Sequence, residues 1–197
     1  MRRRADVSGG AVLMLALLYF FCGAKTLAAL LAAAVVHELG HICALLLLGG
    51  RLSAFHFDIS GMCIDYRGLN CTLPEIAALL AGPAAGLLLA YAASSWGNRT
   101  GSELLLLLSG YSFMLSALNL VPVLPLDGGR ALFCLLTSLF GRSRACAAAD
   151  SSGIAISIML ILFGLNLLGR RCGAAALICG IWLLIAQSGI VKSMRLL

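Results

Sequence analysis

Two histidines and a glutamate, in His37-Glu38-Leu39-Gly40-His41, stand within an apolar run from Leu27 to Leu48. That run has the length and composition of a segment that crosses a lipid bilayer. Imidazole and carboxylate groups are costly in hydrocarbon. Where they occur in a spanning segment they face protein or a wet cavity, and they mark a functional site. A chain with such a segment must therefore gather polar chemistry between membrane helices.

Composition extends this constraint to the whole chain. Of 197 residues, 61% are hydrophobic and 11% charged, against about 45–50% and about 25% in a soluble domain. Six spanning helices are predicted near 8–23, 27–48, 75–94, 103–121, 153–169 and 173–191, in a single polytopic domain over 1–197. The expected fold class is an all-α membrane protein. Met1-Arg2-Arg3-Arg4 followed by apolar Ala11–Cys22 imitates a signal peptide. No Ala-x-Ala site follows closely and more apolar runs do, so it reads as an uncleaved first helix.

The net charge of +6 is scattered between apolar runs rather than striped along one face, which argues against nucleic acid as a partner. It reads better as a topology signal. With the N-terminus in the cytoplasm, Arg2, Arg3, Arg4, Arg51, Arg67, Arg130, Arg142, Arg144, Lys192 and Arg195 lie inside. Lys25, Arg99, Arg170 and Arg171 lie outside, so ten and four account for all 14 Lys and Arg. The bias predicts both termini on the cytoplasmic side. Between the second and third helices, Phe55, Phe57 and Ile59 alternate with His56, Asp58 and Ser60, and Met62, Ile64 and Tyr66 with Cys63, Asp65 and Arg67. Period-two alternation around Ser60-Gly61 predicts a small membrane-associated β-hairpin. The 8 cysteines include no C-x-x-C pair and read as small packing residues.

On a helix, His37 and His41 lie one turn apart and about 40° round the axis, so both imidazoles can reach one metal ion. His-Glu-x-x-His on a helix is the pattern of zinc peptidases. A catalytic zinc takes three protein ligands, leaves one position for water, and brings the pKa of that water toward about 7. Glu38 stands where it can act as general base without being a ligand.

A third ligand is required. His56 falls in the hairpin and reads as an interfacial residue. Among acidic residues, only Glu38 and Asp127 are embedded in apolar sequence. Asp127 ends the stretch Asn119-Leu-Val-Pro122-Val-Leu-Pro125-Leu-Asp127-Gly128-Gly129, whose two prolines must break the fourth helix. Irregular backbone at that depth is tolerated only beside protein or a wet cavity. Asp127 either caps the helix that restarts toward Phe140 or completes the metal site, and its context favours the ligand. Asn119 either satisfies freed backbone groups or holds substrate. Pro122 and Pro125 join it as candidate substrate contacts. In the third helix, Ala81-Gly82-Pro83-Ala84-Ala85-Gly86 either permits close helix approach or lines a cavity beside the metal.

Taken together, His37-Glu38-x-x-His41 in the second helix and Asn119-x-x-Pro122-x-x-Pro125-Leu126-Asp127-Gly128 in the fourth resemble the site-2 protease (M50) family of intramembrane zinc metalloproteases. Gly82-Pro83 adds to the match, which runs over about residues 27–140. The likeness is greatest to the bacterial branch that contains the sporulation protease processing pro-sigma-K. That branch commonly carries a C-terminal CBS domain; within these residues neither a CBS nor a PDZ domain is expected. Gly86 stands where relatives often have Asn.

The resemblance implies one zinc per chain on His37, His41 and Asp127, with Glu38 activating water. It implies a zinc metalloendopeptidase of a bacterial cell membrane, working in regulated intramembrane proteolysis. The expected partners are the bilayer and a membrane-protein substrate: an anti-sigma factor, a pro-sigma factor or a remnant signal peptide. The rivals are an intramembrane metal transporter, which needs no base beside the metal, and a non-catalytic substrate-binding scaffold.

Overall fold

A computed structural model describes residues 5–7, 9–49, 51–58, 61–67, 73–168 and 174–195. Arg2, Arg3, Arg4, the turn residue Ser60, and Arg170 and Arg171 lie outside these. In chain order the elements are β1 (Ala5–Val7), α1 (Gly9–Leu47), β2 (Arg51–Asp58), β3 (Gly61–Arg67), α2 (Leu73–Thr100), α3 (Glu103–Asn119), α4 (Asp127–Phe140), α5 (Arg142–Leu168) and α6 (Ala174–Arg195). Helices dominate, as an apolar chain that must satisfy its own backbone requires.

Three of the described helices are long and apolar enough to cross a membrane: Gly23–Leu47 within α1, then α2, then α5. The 25 residues of the first reach about 37 Å, against a hydrocarbon core of about 30 Å. α3 and the stretch Ala176–Gln187 of α6 are shorter apolar helices. α1 is interrupted at Gly23, whose φ of 77° and ψ of 167° are open to glycine alone. The interruption falls where the sequence separates the first two expected spans. β2 is flanked by β1, parallel, with Ala5 opposite Phe55. On its other side it pairs antiparallel with β3, with Asp58 opposite Gly61.

The largest departure from expectation is α5. Hydropathy starts the fifth helix near 153, but α5 starts at Arg142. The stretch Arg142–Ser152 is too polar to count as membrane sequence. It is also rich in alanine, the strongest helix former, and it buries Ala145, Cys146 and Ala149.

The chain divides into two compact units. The first is Met1–Asn70 with Ala81–Ala117, and the second is Cys71–Leu80 with Leu118–Leu197.

In the first unit, α2 meets its neighbours through glycines. A Cβ at Gly86 would collide with the Ser116 hydroxyl of α3, and one at Gly97 would come within 3.2 Å of Leu105 and Leu106. Ser109 Oγ donates to the Ala90 carbonyl at 2.8 Å. Lipid supplies no hydrophobic force between helices, so van der Waals contact at such small residues carries the association.

In the second unit, Leu124, Phe133, Ala145, Cys146 and Ala149 form one apolar cluster. Leu79, Ala131 and Cys134 form another. α5 and α6 pack at Gly164 against Leu177 and at Gly180 against Ile161. None of Cys43, Cys134, Cys146 and Cys179 is in a disulfide.

Two glycines of the first unit should respond with opposite sign. Gly86→Val drives a branched side chain into the Ser116 hydroxyl and should destabilise by about 1–3 kcal/mol. Nothing lies within 4 Å of a Cβ at Gly110, so Gly110→Ala should be neutral or stabilising by up to about 1 kcal/mol. Reversible unfolding in bicelles, followed by circular dichroism, measures both.

Candidate metal centre

α1 runs unbroken through His37 and His41, which puts the two side chains on one face a turn apart. Their Nε2 atoms are 3.3 Å apart. The rings meet edge to face, with centroids 4.9 Å apart and planes at 81°. Two nitrogens on one tetrahedral zinc, each at about 2.0–2.1 Å, stand about 3.3–3.4 Å from one another. The observed spacing therefore fits a shared ion. The same distance also suits an N–H···N bond in which one ring donates, the arrangement open to the pair without metal.

The rings are held there by the shape of α2. A Cβ at Gly40 would lie 2.6 Å from the Ala81 carbonyl oxygen and 2.8 Å from Ala85 Cβ, so α1 and α2 touch nearly backbone to backbone. A Cβ at Gly82 would fall on the His41 ring, nearest to Nε2. The imidazole thus occupies the space that any other residue at 82 would fill. His37 is 3% exposed, whereas Glu38 and His41 are half-buried. Of the two roles weighed for the small-residue stretch, packing and lining the metal's cavity, Gly82 has both, since it packs beside α1 and walls the His41 ring. Its place one position before Pro83 was the available signal, and the motif alone does not say which side chain fills the gap.

The other expected site residues belong to the second unit. Asn119 is the last residue of α3. The chain then leaves the helix over 120–126, where the prolines predict a break. Val121 N–H donates to the Leu118 carbonyl at 3.1 Å and Leu126 N–H to the Val123 carbonyl at 2.9 Å. Pro122 is exposed and Pro125 half-buried, and the Leu124–Pro125 peptide is cis. Gly128 and Gly129 lie against the backbone of Leu120 and Val123, leaving no room for a Cβ.

Asp127 opens α4. The capping position is Leu126, whose side chain makes no cap hydrogen bond. Its half-buried carboxylate sits in the first turn, where the positive end of the helix favours an anion.

Parts of the chain are similar to known proteins. Residues 95–165 match the family model of Peptidase family M50. The chain is 37% identical over 68 residues to the zinc metalloprotease MJ0392 of Methanocaldococcus jannaschii, over 34% of this chain and 20% of that protein. It is 30% identical over 179 residues to Rip3 of Mycobacterium tuberculosis, over 85% of this chain and 44% of that one. The chain thus spans less than half the length of these relatives. Its fold is that of a site-2 protease from Methanocaldococcus jannaschii, with a TM-score of 0.72 at 20% identity, over 94% of this chain and 89% of that one. Over these parts the chain is similar to zinc metalloproteases and to peptidase family M50.

Gly82→Ala is the substitution that isolates this geometry. The added methyl group displaces the His41 ring and changes none of the ligand residues. Zinc affinity, measured by competition with a chromophoric chelator, should fall about 10–100-fold, as it does when the groups that orient a ligand are lost.

Proposed function

We propose that this chain is an intramembrane zinc metalloprotease that hydrolyses a peptide bond in or near a transmembrane segment of a membrane-tethered regulatory protein. One observation carries the reading. Two imidazole nitrogens lie 3.3 Å apart on a helix long and apolar enough to span a bilayer, with a carboxylate, Glu38, at the intervening position.

His37, His41 and Asp127 are a donor set of the kind that holds a metal ion, two imidazoles and one carboxylate. Zinc suits that set, and one ion per chain satisfies it. When bound, zinc supplies Lewis acidity, which makes water a nucleophile near neutral pH and polarises a carbonyl. The remaining steps belong to the chain. Glu38 takes the proton from the attacking water and delivers it to the departing amine. The Asn119 amide, at the end of α3, holds the substrate backbone or the developing oxyanion. Pro122 and Pro125 keep the segment before Asp127 out of a helix, leaving an irregular surface against which an unwound peptide can lie.

A helical substrate hides its amides in its own hydrogen bonds and must unwind before attack. β3 forms one edge of the β1-β2-β3 order and can accept the freed segment as an added strand. The charge bias of the sequence places both termini, and with them the sheet, on the cytoplasmic side. Anti-sigma factors, pro-sigma factors and remnant signal peptides are the candidate substrates.

Glu38→Gln is the deciding variant. It should bind zinc as the wild type does and lower cleavage by about 10²–10⁴-fold. Asp127→Asn should instead lose zinc. Comparison of membrane-protein fragments from cells carrying wild type or Glu38→Gln reads the substrate directly. Metal flux through the wild type with no peptide cut by it would replace this reading with transport.

A further inference from the structure

We propose that the β1-β2-β3 sheet carries a second metal site, made of residues other than His37, His41 and Asp127, in which His56, Asp58 and Cys63 hold a zinc-class divalent ion. The pairing register carries the argument. His56 stands directly opposite Cys63 of β3 and, on its other side, opposite Asp6 of β1. Residues directly opposite one another share a face of a sheet, and so do residues two apart along a strand. One face therefore carries Asp6, His56, Asp58, Cys63 and Asp65, and the other Ala5, Val7, Phe55, Phe57, Met62 and Ile64.

This division leaves two residues without the role their sequence suggests. The cysteines of the chain read as packing residues, yet Cys63 falls on the face that carries the charges, not on the apolar one. His56 reads as an interfacial residue, yet three of its four neighbouring places on that face hold an acid or a thiol. Asp6 and Cys63 stand beside it and Asp58 two positions along β2, with Ala54 in the fourth place. Imidazole, thiolate and carboxylate are the donors that bind zinc. Asp65 lies two positions from Arg67, which stands opposite Arg51. It thus has cationic neighbours of its own and is left out of the site.

The spacing suits one ion. Directly opposite residues have Cβ atoms about 4.5–5.5 Å apart, and diagonal ones lie about 7–8 Å apart. His56 and Cys63 are an opposite pair and Cys63 and Asp58 a diagonal one, so a single ion can be shared by all three. Gly61, opposite Asp58, adds no side chain to crowd it. One nitrogen, one sulfur and one oxygen suit zinc, with the fourth place left to water. Binding takes the thiolate and releases the thiol proton to solvent. Asp6, next to His56 on β1, is placed for a carboxylate to accept the second imidazole N–H and orient the ring. The ion also has a use in the fold. The strands hold only 3, 8 and 7 residues, and so small a sheet gains stability from a structural metal. Held by β2 and β3 and keyed to β1 through Asp6, the ion ties all three strands.

The test uses the full chain in detergent micelles, stripped of metal and titrated with Co²⁺, whose bond to a thiolate gives a charge-transfer band in the near ultraviolet. His37, His41 and Asp127 offer no sulfur, so the metal centre contributes nothing to that band. The wild type should bind two ions, one of them with the band. His37→Ala should lose the first ion and keep the band. Cys63→Ser should lose the band and bind one ion only. His56→Ala should weaken the banded ion by more than about 100-fold, because losing even the partner of a ligand costs about 10–100-fold. His56→Cys keeps a ligand in the same place and should retain the ion with a stronger band, which separates ligation from a structural need for the imidazole. No band in the wild type, a band lost in His37→Ala, a band that survives Cys63→Ser or one indifferent to His56→Ala overturns the proposal. The band is read without peptide or cleavage, so its failure leaves the proteolytic reading standing, and failure of that reading leaves the band unchanged.

Discussion

The contact between α1 and α2 is the constraint on which the site depends. Gly40 lets the two helices touch through their backbones, and Gly82 leaves a gap of one side chain beside that contact. The His41 ring fills the gap. Without it the imidazole would have to point into lipid or push the helices apart, and either costs more than a surface histidine would. The two nitrogens at 3.3 Å are thus a consequence of helix packing as much as of the four-residue spacing. Spacing puts both rings on one face, and the glycine decides where the second ring stops.

Much of this was readable before any coordinates. The apolar run around His37-Glu38-x-x-His41 announces a membrane helix with metal-ligand spacing, and α1 is a helix there. Pro122 and Pro125 announce a break, and the chain is irregular over 120–126 before α4 resumes at Asp127. These signals are local: a period, a ligand spacing, a residue that cannot donate. The early start of α5 was not legible, because hydropathy scores solvation while Arg142–Ser152 is helical through alanine propensity and packing. The place of Leu126 as the capping residue of α4 was not legible either. It depends on where the first helical residue falls, a matter of one position.

What sequence could not supply is partnership. Gly82, Gly86 and Gly153 look alike in a string of small residues. In space each faces a different polar side chain: the His41 imidazole, the Ser116 hydroxyl and the Gln187 amide. A glycine in a membrane helix usually permits close backbone approach. In these three places it also makes room for a group that hydrocarbon would reject. The polar atom is then shielded from lipid by the neighbouring helix rather than by water.

This pairing has an energetic logic that separates the three sites. A ring held at Gly82 has its second imidazole 3.3 Å away, so its polar atom has a defined partner with or without metal. The Ser116 hydroxyl is small and can rotate, and its orphaned state costs little more than one hydrogen bond. The Gln187 amide is rigid, anchored at one end by a donated bond, and its free oxygen cannot swing to another acceptor's donor without breaking that bond. The larger and more constrained the polar group, the stronger the demand for a partner from outside the helix pair. By that measure the Gln187 amide is the most constrained of the three groups and the Ser116 hydroxyl the least, while the His41 ring is already partnered by His37.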